Sequence, residues 1–169
     1  MSRRRITTIS LISASLLIAV SGCLLWATTS SGSTSVLLGR ATYKPEHGDV
    51  LQVQRVLPPS WSAVIQARPA LDVAVQMITF QPNGQSGWHR HPGPVFISVV
   101  SGEMTFYESD DPDCKPVVKH AGEGFLDKGE HAHIARNESG ATAINVVTYL
   151  VPPGAPLRID EPSPGNCPF

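Results

Sequence analysis

Gly87-Trp88-His89-Arg90-His91-Pro92 is the segment that decides the fold of this chain, and His131-Ala132-His133 completes it further along the sequence. In a β-strand, side chains two residues apart point to the same face. His89 and His91 are therefore expected to aim two imidazoles at one point, and His133 can add a third from a neighbouring strand. Three convergent neutral imidazoles are typical of a first-row metal site with open coordination positions.

The composition around this segment favours one turn-rich β domain. The chain has 169 residues, which is enough for a single domain with a hydrophobic core. Its 14 Gly and 15 Pro residues are spread between short apolar runs, a pattern typical of all-β proteins. The formal net charge of −1 gives no basic surface for nucleic acid.

Short alternating or apolar runs bounded by Gly and Pro predict the strands. The predicted strands cover residues 49–56, 71–80, 95–100, 103–107, 117–119, 124–127, 131–136 and 141–151. Many short strands at even spacing, with no helical stripe after the N-terminal segment, indicate a β-sandwich or a small barrel.

The N-terminal segment has the layout of an export signal. Arg3, Arg4 and Arg5 form a positive region, and residues 6–27 carry no charge. Residues 1–27 are therefore predicted to be a signal peptide or an N-terminal membrane anchor, and the protein to be exported. The stretch 20–23 resembles a bacterial lipoprotein cleavage box, which makes Cys23 a candidate for lipidation. An ordinary secretory signal with a chance cysteine is the alternative.

The two remaining cysteines are predicted to form a disulfide. Cys114 lies in a polar loop and Cys167 in a Pro-rich tail, and an even pair fits an oxidising compartment. A thiol ligand or nucleophile is the alternative, but neither cysteine neighbours the histidines in sequence. The disulfide would tie down the tail and stabilise the domain by about 2–4 kcal/mol.

These features divide the chain into four predicted parts. After the signal, residues 28–48 are rich in Ser, Thr and Gly and are interpreted as a flexible linker. Residues 49–155 are assigned to the β-barrel, and residues 156–169 to a Pro-rich C-terminal tail.

The histidine segments, taken with the glycines around them, resemble the two motifs of the cupin family. The first motif runs Gly, His-x-His, a Glu three or four residues on, and a later Gly; the second ends in Gly, His and Asn. The matching positions are Gly87, His89, His91 and Gly102 in the first motif and Gly122, His133 and Asn137 in the second. The resemblance covers residues 70–152 and implies a double-stranded β-helix, the jelly-roll barrel of cupins.

The chain departs from these motifs at the metal site. Pro94 and Val95 stand where the first motif has its Glu, while Lys128 and Glu130 replace the Pro and Gly of the second. The predicted site is therefore three histidines without the carboxylate. Cysteine-dioxygenase-like cupins also hold iron with three histidines, so the resemblance implies one divalent metal. Fe(II) is preferred, and Ni, Cu or Zn are alternatives, because manganese favours carboxylate oxygen.

Three further residues are candidates to support the site. His131 shares a predicted strand face with His133 and is a candidate fourth ligand, outer-shell group or rim residue. Asn137 and Gln85 are candidates to orient a substrate.

Two functions remain open at this point. One is a dioxygenase-like or Lewis-acid metalloenzyme acting on a small molecule. The other is a non-catalytic module, tethered to the membrane by its N-terminus, that binds a small ligand or a metal. The resemblance also makes a homodimer plausible.

Overall fold

Antiparallel β-strands dominate the described part of the chain, which is residues 27–57 and 61–169 of a computed structural model. The strands are β1 (Ser31–Tyr43), β2 (Leu51–Leu57), β3 (Trp61–Ala67), β4 (Leu71–Gln85), β5 (His89–Arg90), β6 (Val95–Ser101), β7 (Glu103–Glu108), β8 (Val117–His120), β9 (Gly124–Asp127), β10 (His133–Arg136), β11 (Ala143–Val151) and β12 (Ile159–Asp160). The predicted export signal and Cys23 lie outside the described residues. In the part that is described, no helix has the length and hydropathy needed to cross a membrane.

Ten of these strands form one sheet that folds over into two layers. One layer has the order β1-β4-β11-β6-β9, and the other has the order β8-β7-β10-β5-β12. The layers are joined where Arg136 of β10 pairs with Gln85 at the end of β4. This architecture confirms the predicted all-β, double-stranded β-helix barrel.

The core lies between the two layers and follows from the alternation of side chains along each strand. In β11, every second residue from Ala143 to Val151 is buried. Phe106 of β7 stacks on Phe125 of β9, with ring centroids 4.3 Å apart. This stacked pair connects the two layers beneath the histidine cluster.

The interpretation of residues 28–48 as a flexible linker is wrong for Ser31–Tyr43. These residues form β1, which pairs along the whole of β4. Almost every side chain of β1 is exposed, because the strand lies at the edge of the sheet and is held by backbone hydrogen bonds. Its composition therefore shows no buried face from which a strand could be predicted.

Two other boundaries differ from the predicted ones. Strand β2 pairs with β3 in a separate two-stranded sheet, so the barrel sheet is built from β1 and from β4 onward within the described residues. The tail at 156–169 contributes β12, which pairs with β5, and Leu157, which packs against the core. The tail is thus part of the barrel.

Candidate metal centre

Three buried histidines converge inside the barrel, as the spacing of the sequence predicts. His89 and His133 are paired residues on β5 and β10, and His91 follows β5 directly. Their ring centroids lie 4.4 Å apart for His89 and His133, 4.8 Å for His89 and His91, and 5.2 Å for His91 and His133. One ring nitrogen from each side chain lies within 4.8 Å of the other two.

Backbone carbonyls orient two of the three rings. The Nδ1–H of His89 donates to the carbonyl oxygen of Gly87 over 2.9 Å, and the Nδ1–H of His91 donates to that of Leu157 over 2.6 Å. Each ring therefore keeps Nε2 as its lone-pair nitrogen. Metal-binding histidines are commonly held in this way, with the second ring nitrogen donating to the protein.

A close backbone approach fixes the turn that precedes His89. Gly87 has a positive φ of 70°, and a Cβ at this position would lie 2.6 Å from the carbonyl oxygen of Thr28. The next backbone N–H, that of Trp88, donates to Oγ1 of Thr28. Glycine is required here because the segment before β1 packs directly against the turn.

Burial keeps all three imidazoles neutral in the metal-free protein. It lowers the pKa of His133 from 6.5 to about 3 and that of His89 well below 6.5. The pKa of His91 is lowered for the same reason, although its bond to Leu157 opposes the shift. The positive charge of Arg158 adds to the lowering at each ring. Neutral imidazole is the form that binds a metal ion.

The sequence analysis missed a carboxylate beside this cluster. Asp127 of β9 is 4% exposed, and its Oδ2 lies 3.5 Å from Nδ1 of His133 and 3.8 Å from Nε2 of His91. Burial raises the pKa of Asp127, and a hydrogen bond from the backbone N–H of Gly129 opposes the shift. The signal that could have found it is the alternation of β9, which turns Phe125 and Asp127 inward together.

The donor set fits a divalent first-row metal. Three neutral imidazoles suit Fe, Ni, Cu and Zn, whereas a site for Mg or Ca would be built mainly from oxygen ligands. Nδ1 of His133 and Oδ2 of Asp127 are buried without a hydrogen-bond partner. The family and the three-histidine site together indicate a divalent metal.

The cluster forms one wall of a cavity of about 210 Å³ that opens to solvent. The other lining side chains are apolar core residues together with hydroxyl and amide groups from β1, β4 and β11. The hydroxyl of Tyr149 donates to Oε1 of Gln76 over 2.8 Å, and burial raises its pKa to about 12. Oδ1 of Asn145 is a buried acceptor without a partner, and the cation that lines the cavity is Arg158.

The three supporting candidates from the sequence do not reach the cavity. His131 precedes β10, is 53% exposed, and lies 3.7 Å from an Asp110 carboxylate oxygen. The amide of Asn137 is fully buried and donates to the carbonyls of Phe80 and Ala141. Gln85 accepts the backbone N–H of Gly87. Asn137 and Gln85 therefore hold the backbone in place, and His131 faces solvent because its strand begins two residues later.

The predicted disulfide joins Cys114 to Cys167. It packs with Trp88, Tyr107 and Ile134 in a small apolar cluster next to the barrel. The tail is therefore anchored to the loop after β7, as expected.

Comparison with known proteins agrees with this architecture. Residues 76–149 match the family model of the Cupin domain. No curated protein matches the chain.

Among solved structures, the chain is similar to a double-stranded β-helix protein of Klebsiella pneumoniae. The two sequences are 18% identical, the match covers 70% of this chain and 89% of that chain, and the TM-score is 0.45. It is also similar to an oxalate oxidase, with 28% identity, coverage of 47% and 45%, and a TM-score of 0.40. For a DMSP lyase from Ruegeria pomeroyi the identity is 15%, the coverage 52% and 42%, and the TM-score 0.45.

The barrel, the two motifs and the family match together define the class of protein. Residues 76–149 of this chain are a cupin domain, and three histidines that could hold a metal ion converge inside its barrel.

Proposed function

We propose that this protein binds one Fe(II) ion through His89, His91 and His133 and uses it for chemistry on a small molecule. The observation that supports this is the convergence of three neutral imidazoles on the wall of a solvent-connected cavity. Ni, Cu and Zn fit the same donors. A bound metal with open positions would supply dioxygenase-like chemistry or, if it is redox-inert, Lewis-acid chemistry.

The cavity favours a small anionic ligand. Arg158 lines it near the histidines, and its guanidinium suits a carboxylate in bidentate geometry. Arg158 is also paired with the exposed Asp160, so its position is held from the solvent side. The unpartnered Oδ1 of Asn145 can accept a hydrogen bond from a hydroxyl group of the ligand. A small hydroxy acid matches both groups, because its carboxylate can pair with Arg158 and its hydroxyl can donate to Asn145.

A non-catalytic binding module is the second candidate. Among the described residues that line the cavity, none is a carboxylate, so apart from the histidines no evident general base is in place. Such a module would bind the metal and the ligand tightly but would not catalyse a reaction. Oxygen consumption with a panel of small carboxylates separates the two functions.

Metal analysis of the protein purified without a His tag or chelator tests the proposal. We expect near-stoichiometric Fe, Ni, Cu or Zn in the wild type and none in His89→Ala or His91→Ala. The matched control is His131→Ala, which removes an exposed imidazole close in sequence to the site and should leave the metal content unchanged. Full metal occupancy in both ligand variants would contradict the assignment.

We also propose that the protein is exported and contacts the membrane through its N-terminus. The support is the layout of Arg3–Arg5 followed by uncharged residues, together with a disulfide that suits an oxidising compartment. Cell fractionation of the wild type and Cys23→Ala tests it. Release of only the variant from the membrane would indicate lipidation, and a cytosolic wild type would refute export.

A homodimer is proposed as the state in solution. The outer edge of β1 is unpaired among the described strands, and Val36, Leu37 and Leu38 on it are exposed. An unpaired apolar edge strand favours pairing with a second chain. Sedimentation equilibrium should give twice the chain mass, and a monomer at all concentrations would contradict this.

A further inference from the structure

Two unpartnered polar atoms lie close together beside the histidine cluster. Nδ1 of His133 and Oδ2 of Asp127 are both buried, both lack a hydrogen-bond partner, and lie 3.5 Å apart. An unmade hydrogen bond of this kind is costly for both groups. A shift of a few tenths of an ångström would satisfy the donor and the acceptor together.

The position of Asp127 coincides with the departure from the family motif. Val95 is one of the two residues, with Pro94, that stand where the first motif has its Glu, and in the structure Val95 of β6 is paired directly with Asp127 of β9. Both side chains are buried. The neighbouring strand thus brings a carboxylate to the region from which the motif carboxylate is missing.

A rigid turn holds this carboxylate in place. Its Oδ1 accepts the backbone N–H of Gly129 over 2.8 Å. Gly129 has a positive φ of 84°, and a Cβ there would lie 2.7 Å from the carbonyl oxygen of Gly93. Because Gly93 follows His91 closely, the turn that anchors Asp127 packs on the segment that bears the second ligand.

We propose that Asp127 is a positioning residue for the metal centre. Its Oδ2 accepts the Nδ1–H of His133, which leaves Nε2 of that ring as the nitrogen that faces the metal. The carboxylate also restores to the site the negative charge that the motif Glu supplies in other cupins. This inference rests on the proposed binding of metal by the three histidines.

The geometry favours this arrangement over direct ligation by Asp127. The group of side chains whose donor atoms converge within 4.8 Å consists of the three histidines alone among the described residues. The shortest approach of Oδ2 to the cluster is to Nδ1 of His133, at 3.5 Å, which is the atom whose proton it would accept. Carboxylate–histidine–metal arrangements of this kind tune metal affinity by roughly 10- to 100-fold.

The first test measures Zn²⁺ and Co²⁺ affinity of the full chain by competition with a chromogenic chelator. Asp127→Asn is expected to bind both ions roughly 10- to 100-fold more weakly than the wild type. Asp110→Asn is the matched control, because it removes an exposed carboxylate close to His131 and should change the affinity little. Equal affinities for Asp127→Asn and Asp110→Asn would overturn the proposal.

The Co²⁺ derivative distinguishes positioning from ligation. X-ray absorption should give the same number of imidazole ligands and no protein carboxylate in the wild type. A carboxylate ligand that disappears in Asp127→Asn would make Asp127 a direct ligand and would also overturn the proposal.

A measurement on the metal-free wild type keeps the test independent of folding of the variant and of metal binding. ¹⁵N NMR of the imidazoles is expected to show His133 protonated at Nδ1. Protonation at Nε2 would refute the role of Asp127. If the wild type binds neither ion but His133 is protonated at Nδ1, the proposed metal function fails while the hydrogen bond stands.

Discussion

Removal of the Cys114–Cys167 disulfide is expected to weaken both the fold and the metal site. The two cysteines are separated by 53 residues, and closing a loop of that length stabilises the native state by about 4 kcal/mol in the chain-entropy account. We expect a comparable fall in the unfolding free energy of Cys114→Ser/Cys167→Ser. This is a large share of the roughly 5–15 kcal/mol that stabilises a typical domain.

Loss of the disulfide should also weaken metal binding, because residues of the tail contact the metal site. The carbonyl of Leu157 accepts from Nδ1 of His91, and Glu161 pairs with Arg90 between the two first-motif histidines. A tail that frays loses these contacts and leaves the His91 ring less well oriented. We therefore expect metal affinity to fall by up to roughly 10-fold in the double variant, the lower end of the effect of removing such a hydrogen bond.

Urea unfolding followed by tryptophan fluorescence measures the first effect, and chelator competition the second. A reducing agent provides the control, because it should destabilise the wild type to the level of the double variant and leave the double variant unchanged. A double variant with the unfolding midpoint and slope of the oxidised wild type would refute the stabilising role. Unchanged metal affinity despite lower stability would refute the coupling through the tail.

Three further predictions follow from buried or cavity-lining residues. Asn137→Ala should lower the unfolding free energy measured in urea by about 2–3 kcal/mol, because it leaves buried backbone carbonyls without a donor. The metal affinity of the same variant should stay unchanged. In the metal-free protein the pKa of His133 is lowered to about 3, so between pH 6.5 and pH 3 the unfolded chain binds a proton at this residue that the folded protein does not. The free energy of unfolding should therefore fall by about 1.4 kcal/mol per pH unit from this residue as the pH drops from 6.5 towards 3. The slope should be smaller in His133→Phe. Arg158→Gln should weaken calorimetric binding of small carboxylates to the metal-loaded protein at least 10-fold, since a charge-assisted bond is worth about 1.5–3 kcal/mol, and equal binding would contradict the anion site.

Much of the barrel and the pair His89 and His91 could be predicted from local geometry, and the second motif predicted His133. The alternation of a strand places His89 and His91 on one face whatever the rest of the chain does. Glycine at the turns and apolar residues at every second position of β11 mark the strand ends and the buried face. The cysteine pair follows from its even count and from the compartment that the N-terminus predicts.

The remaining features depend on how distant strands pair, which has no local signature. His131 and His133 have the same alternation, but β10 begins at His133, so tertiary packing buries one imidazole and leaves the other in solvent. Strand β1 is recognisable only from its pairing with β4, because an exposed edge strand buries no face of its own.

The site shows the same division between sequence and structure. The spacing of His89 and His91 is set by the covalent chain, whereas His133 reaches them because β10 pairs with β5. The acceptor for His91 is a backbone carbonyl in the tail, which any residue type could provide, and the carboxylate beside His133 comes from a strand that pairs with Val95. Only the tertiary structure decided these contacts, because register between strands far apart in the chain is set by packing of the whole core.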